Sequence, residues 1–175
     1  MVDIIRRVHH CRKVGSHWEF QFDRKNVFNK VSELSVFYNN RLPETQRANY
    51  REIFEGDISM FNNFFTQAIA DVVRLTARYY KDWCCCAEVF SPANNIEDDS
   101  IFIRMELPKD HSDSMAFVLD IFLHEYIELA ILKKWYGIES VAVGIDQDIE
   151  DCLKKINEGI HFRERPIRRK IDPLF

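Results

Sequence analysis

Apolar residues in this 175-residue chain recur mostly at helical spacing, interrupted by two stretches that alternate. Between Asn26 and Asn40 they fall at Val27, Phe28, Val31, Leu34, Phe37 and Tyr38, steps of three and four that predict a helix ending before Pro43. Asp57, whose carboxylate suits a helix cap, precedes a longer run from Ile58 through Phe61, Phe65, Ile69 and Val72 to Tyr79, Tyr80 and Trp83. A second helix is predicted across that run, apolar over too broad an arc to face solvent. Ser112 or Asp113 opens a third, which ends at Tyr136 against Gly137. That helix is apolar on more than one side, so two neighbours must cover it or one must come from another subunit. A fourth runs from about Val141 to Gly159, with Ile145, Ile149, Cys152, Leu153 and Ile156 on one face and acids on the other.

The alternating stretches predict strands. Trp18-Glu19-Phe20-Gln21-Phe22 follows Gly15-Ser16, and Ile101 to Leu107 is closed by Pro108. Between the second helix and this second strand, Pro92 and the acidic, Asn-rich run 94–100 predict a loop. From Ile160 onward Pro166 and Pro173 remove any helical period, which predicts an extended arm. The fold expected is mainly α, of the α+β class: a four-helix core with a short two-stranded sheet over residues 1–159, and a C-terminal arm over 160–175.

Composition narrows the class without naming an activity. Hydrophobic residues make up 46% and charged residues 30%, with a mean hydropathy of -0.30, which excludes disorder, collagen and a membrane span. Five Gly and five Pro against 14 Phe and six Tyr favour long helices over a barrel. The net charge of -4 argues against a general grip on nucleic acid. The charge is uneven, however: residues 161–175 hold five basic and two acidic side chains, a surplus of +3 that leaves -7 on the rest. Arg6, Arg7, His9 and His10 interrupt the opening stretch and argue against an export leader. Cys11, Cys84, Cys85, Cys86 and Cys152 are odd in number with three adjacent, a poor disulfide framework, so a reducing compartment and small buried apolar roles are expected.

Candidate chemistry is sparse. His124-Glu125-Tyr126-Ile127-Glu128 puts His124 and Glu128 one helical turn apart, a pair able to share a metal ion. A zincin needs a second His where Glu128 stands, and a di-iron bundle needs partner carboxylates that the chain does not offer. The plainer reading sets these residues at the polar edge of a packed helix. His9, His10 and His17 with Cys11 lack a second ligand pair at finger spacing. No phosphate loop, nucleophile elbow or dinucleotide fingerprint occurs, so neither catalytic residues nor a cofactor is expected. The arm invites a binding role: Phe162, Ile167, Leu174 and Phe175 are spaced for a groove or a sheet edge, and Arg163, Arg165, Arg168, Arg169 and Lys170 suit acidic surfaces or phosphates.

Ile101 to Pro108, Glu125-Tyr126-Ile127, Leu132-Lys133-Lys134-Trp135-Tyr136 and Phe162 to Lys170 carry a resemblance. Over these, roughly the last 75 residues, the chain resembles structural proteins of Bacteroidales phages and prophages, of the neck or head-to-tail connector type. The resemblance implies a non-catalytic virion protein, assembled in the host cytoplasm. Such a protein forms a homo-oligomeric ring, commonly dodecameric, that meets the portal protein and the next neck or tail protein. DNA passes through such a ring without sequence-specific binding, and no membrane is involved. Two other readings stand beside it: an intracellular metal-binding hydrolase centred on His124, Glu125 and Glu128, and a nucleic-acid binder that uses the arm.

Overall fold

Strand β2 (His17–Asp23) runs straight into helix α1 (Arg24–Asn39), and Asp23 makes the join, its carboxylate accepting from the N–H of Asn26 at 2.8 Å. The computed structural model describes residues 11–14, 17–47, 52–85, 100–108, 111–140 and 143–161, which form a mainly helical α+β domain. Among the described residues, no helix is long and apolar enough to cross a membrane.

The two strands expected from alternation pair antiparallel, but they are the middle of a four-stranded sheet and not the whole of a two-stranded one. Its order is β1 (Cys11–Val14), β2, β4 (Ser100–Met105), β3 (Tyr80–Cys85), antiparallel throughout. The register sets Phe20 opposite Ile103 and Phe22 opposite Ile101, and all four are buried on the core face. Glu19 and Arg104, also paired across the strands, form an ion pair at 3.0 Å.

The two added strands have distinct causes. β1 is four residues with two charges, too short to show a period. β3 lies where the apolar run predicts helix: helix α3 (Ile58–Leu75) stops at Thr76, whose N–H and hydroxyl both turn to the Val72 carbonyl, at 2.9 and 2.8 Å. The Tyr79 carbonyl then accepts from Glu106 N–H at 2.7 Å, and Tyr80–Cys85 joins β4. Aromatic residues favour a strand once an unpaired edge is at hand, and that tertiary opportunity overrides the helical spacing of Tyr79, Tyr80 and Trp83. Asp57 precedes α3 as expected, yet its carboxylate accepts from Phe54 N–H at 3.3 Å. A one-turn helix α2 (Glu44–Arg47) adds to the four long ones.

Helix α4 (Asp113–Tyr136) has the boundaries its caps predict: the Ser112 hydroxyl accepts from Met115 N–H at 3.2 Å, and Gly137 turns the chain at φ 54°. Twenty-four residues make it about 36 Å long at 1.5 Å per residue. It packs against α1, α3, strands β1 and β2, and helix α5 (Ile145–His161). Leu119, Leu123, Ile127, Ile131 and Leu132 keep no exposed surface. The apolar breadth of α4 is therefore satisfied inside one subunit, the first of the two alternatives that its sequence leaves open. Helix α5 begins at Ile145, after Gly144 at φ 84°, and continues through buried Gly159 and Ile160 to His161.

Candidate functional site

The segment His124 to Glu128 lies in the middle of α4, and its ionisable groups point to different neighbours. The His124 ring sits 4.7 Å from the ring of Phe22 on β2, with Nδ1 3.0 Å from the Asp120 carbonyl and 3.6 Å from the buried Asp120 carboxylate. Glu125 and Glu128 instead border a cleft of about 320 Å³ against α1, with Lys30, Leu34, Tyr38 and Leu129. Glu125 also lies 3.7 Å from Lys155 of α5. A shared ion between His124 and Glu128 requires both side chains on one face, and here one faces the sheet and the other faces α1. Among the described residues, no three His, Cys, Asp or Glu side chains are grouped to hold a metal.

The described thiols are not activated. Burial, with the charges of Asp120 and Asp113, pushes the Cys11 thiol up to about 12. Burial and the Glu125 charge push Cys152 equally far, to about 12, and its Sγ donates to the Phe122 carbonyl at 3.2 Å. Cys84 and Cys85 belong to β3. His9, His10 and Cys86 lie outside the described residues.

Polar groups that the sequence does not single out prove to be tethers. The Tyr38 hydroxyl donates to Asp148 at 2.6 Å, joining α1 to α5, and burial with this bond pushes the phenol up. Ser35, fully buried in α1, receives two distant elements: Ile53 N–H donates to its hydroxyl oxygen at 3.1 Å, and the Tyr136 hydroxyl donates to its carbonyl at 2.7 Å. These partners stand 18 and 101 positions away, so no local pattern announces them.

Val36 follows Ser35, Phe54 follows Ile53, and Ile138 lies just past Tyr136, and all three side chains are exposed, Ile138 to 93%. Glu52 and Glu55 are exposed on either side of Phe54, and Glu139 follows Ile138.

The residues assigned to partner binding, Phe162, Arg163, Arg165, Ile167, Arg168, Arg169, Lys170, Leu174 and Phe175, lie outside the described residues. Their point of departure is fixed. His161 ends α5 with its ring edge-on to Tyr79 at 5.9 Å, and Nε2 of buried His111 lies 2.8 Å from the Gly159 carbonyl. No protein-family model, no curated protein and no solved structure matches this chain.

Proposed function

We propose that the protein is a non-catalytic assembly subunit of the head-to-tail connector kind, a neck-ring component of a tailed-phage virion. Its C-terminal residues from Phe162 to Phe175 dock to the portal protein or an adjacent ring. The observation that carries this reading is that large apolar side chains, Phe37, Phe54 and Ile138 among them, remain exposed on a domain whose core is filled from within. A domain that completes its own core and still exposes large apolar side chains has surface to spend on protein contacts. The same economy runs through its polar groups, because Tyr38, Asp148 and Cys152 hold helices together and His124 packs against Phe22.

The test is capture of the portal protein of the same virion by full-length chain and by a form ending at His161. Full-length protein retains the portal protein through a high-salt wash and the shortened form loses it. Equal capture by both forms removes the C-terminal segment from the reading, and no capture by either removes the portal. The metal-binding hydrolase draws on the cleft shared by Glu125 and Glu128. It predicts stoichiometric metal retained after dialysis against a weak chelator, whereas a connector yields a metal-free assembly.

A further inference from the structure

The cleft between α1 and α4 has no part in a connector's contacts, yet its lining combines both halves of a ligand site. Lys30, Leu34 and Tyr38 come from α1, and Glu125, Glu128 and Leu129 from α4, around about 320 Å³. The spacing on each helix explains why they meet. Lys30, Leu34 and Tyr38 follow one another at four residues and form one stripe of α1, and Glu128 and Leu129 stand three and four residues after Glu125 on α4. The upper end of the α1 stripe is fixed, because the Tyr38 hydroxyl donates to Asp148 of α5 at 2.6 Å.

The polar half of the lining favours a cation. Two carboxylates stand against one ammonium group, and that group, Lys30 Nζ, lies 3.0 Å from Glu33. Glu128 is only 5% exposed although it borders open space, so a positive charge that enters meets its carboxylate in a setting that screens less than water does. The apolar half is a wall from each helix, Leu34 on one side and Leu129 on the other, with the Tyr38 ring beside them. An anion is repelled here. A metal ion finds no group of three His, Cys, Asp or Glu side chains among the described residues, and His124 is turned to Phe22. An organic cation satisfies both halves, since an ammonium group has three N–H donors for the carboxylates and its methylene chain covers the leucines.

We propose that this cleft binds a small aliphatic amine, a primary ammonium group on a short unbranched carbon chain. Glu125 and Glu128 accept from the ammonium, Leu34 and Leu129 hold the chain, and Lys30 at the edge opposes the ligand's charge. The site uses no residue of the C-terminal segment and no metal, so it rests on neither the connector reading nor its hydrolase alternative.

The test is isothermal titration calorimetry of metal-free, full-length protein at low ionic strength with n-pentylamine, and with 1-pentanol as its uncharged match. Pentylamine binds 1:1 with a Kd of roughly 1 mM or tighter, and pentanol binds at least roughly tenfold more weakly. Glu128→Gln and Glu125→Gln each weaken pentylamine roughly tenfold, whereas Lys30→Gln tightens it about twofold. Glu150→Gln, at an exposed position of α5, leaves the affinity unchanged, which separates the cleft from the negative charge of the whole protein. Far-UV circular dichroism verifies each fold, and should Glu128→Gln fail to fold, the more exposed Glu125 carries the test. Equal affinity for pentylamine and pentanol, a folded Glu125→Gln that binds like wild type, or a loss in Glu150→Gln as large as that in Glu125→Gln each overturns the proposal. None of these results bears on capture of the portal protein.

Discussion

The Tyr136 hydroxyl donates to the main-chain carbonyl of Ser35 across 2.7 Å, fastening the last turn of α4 to α1 in a site with no exposed surface on either residue. Tyr136→Phe removes the donor and leaves the ring packing intact, so the expected loss is about 1 kcal/mol. Ser35→Ala keeps that carbonyl but strands the buried N–H of Ile53, and about 1–3 kcal/mol is expected. Urea denaturation of both variants measures the difference. A larger cost for Tyr136→Phe than for Ser35→Ala contradicts the assignment of Ser35 as the junction.

Glu19 and Arg104 face each other in the two central strands, with Nε to Oε2 at 3.0 Å, and Glu19 is only 3% exposed. A carboxylate this buried is costly to leave with fewer charge partners. Arg104→Leu therefore destabilises by roughly 2–4 kcal/mol, reduced from the fully buried case because the Arg104 side chain is one-third exposed. The double variant Glu19→Leu/Arg104→Leu removes both charges and recovers part of that loss. A double-mutant cycle reads the coupling, and additive losses mean that the pair does not act as one unit.

How much of this was legible in the sequence follows from the range of each signal. Caps are local, so Ser112 and Gly137 bracket α4 correctly, and alternation is local, so Trp18–Phe22 and Ile101–Met105 emerge as strands. The end of α3 was hidden because Tyr79, Tyr80 and Trp83 continue the helical spacing. What decides the matter is the free edge of β4, a tertiary fact. The coverage of α4 by α1, α3 and α5 was ambiguous for the same reason, since an all-round apolar helix reads alike whether its neighbours belong to the same chain or another. The candidate site divides likewise. His124, Glu125 and Glu128 were visible as a spacing but face different neighbours, while the Ser35 junction links positions up to 101 apart and left no pattern to find.

Two glycines are expected to respond oppositely to alanine. Gly137 holds φ 54° and ψ -120°, where nothing lies within 4 Å of an added Cβ, so the cost of Gly137→Ala is backbone strain alone, about 1–3 kcal/mol. Gly159 sits inside α5, where an added Cβ meets Leu119 at 3.6 Å, an ordinary contact. Gly159→Ala therefore gains helix propensity, about 0.5–1 kcal/mol. Thermal unfolding of the two variants moves in opposite directions. A destabilised Gly159→Ala means that α4 and α5 pack more tightly than this separation allows.

Alkaline pH probes the buried acids of the core. Burial pushes the thiols of Cys11 and Cys152 from 9.0 up to about 12, and burial with the Glu52 charge pushes the Tyr136 phenol from 10.0 up to about 12. Each group is neutral when protonated, so the fold favours the protonated form and the unfolded chain releases its proton first. Between pH 9 and 12 the unfolded state then binds fewer protons than the native one, and stability falls as pH rises. Below pH 9 the contribution is complete and the profile is flat with respect to these groups. Denaturant midpoints measured across this range decline for wild type and decline less steeply for Cys152→Ala/Tyr136→Phe, which lacks two of the titrating groups. Native-state alkylation supplies an independent check: Cys152 reacts with iodoacetamide far more slowly than an exposed thiol at pH 8, because both burial and the scarcity of thiolate oppose it. Rapid labelling of Cys152 in the folded protein contradicts its placement beneath the Phe122 carbonyl.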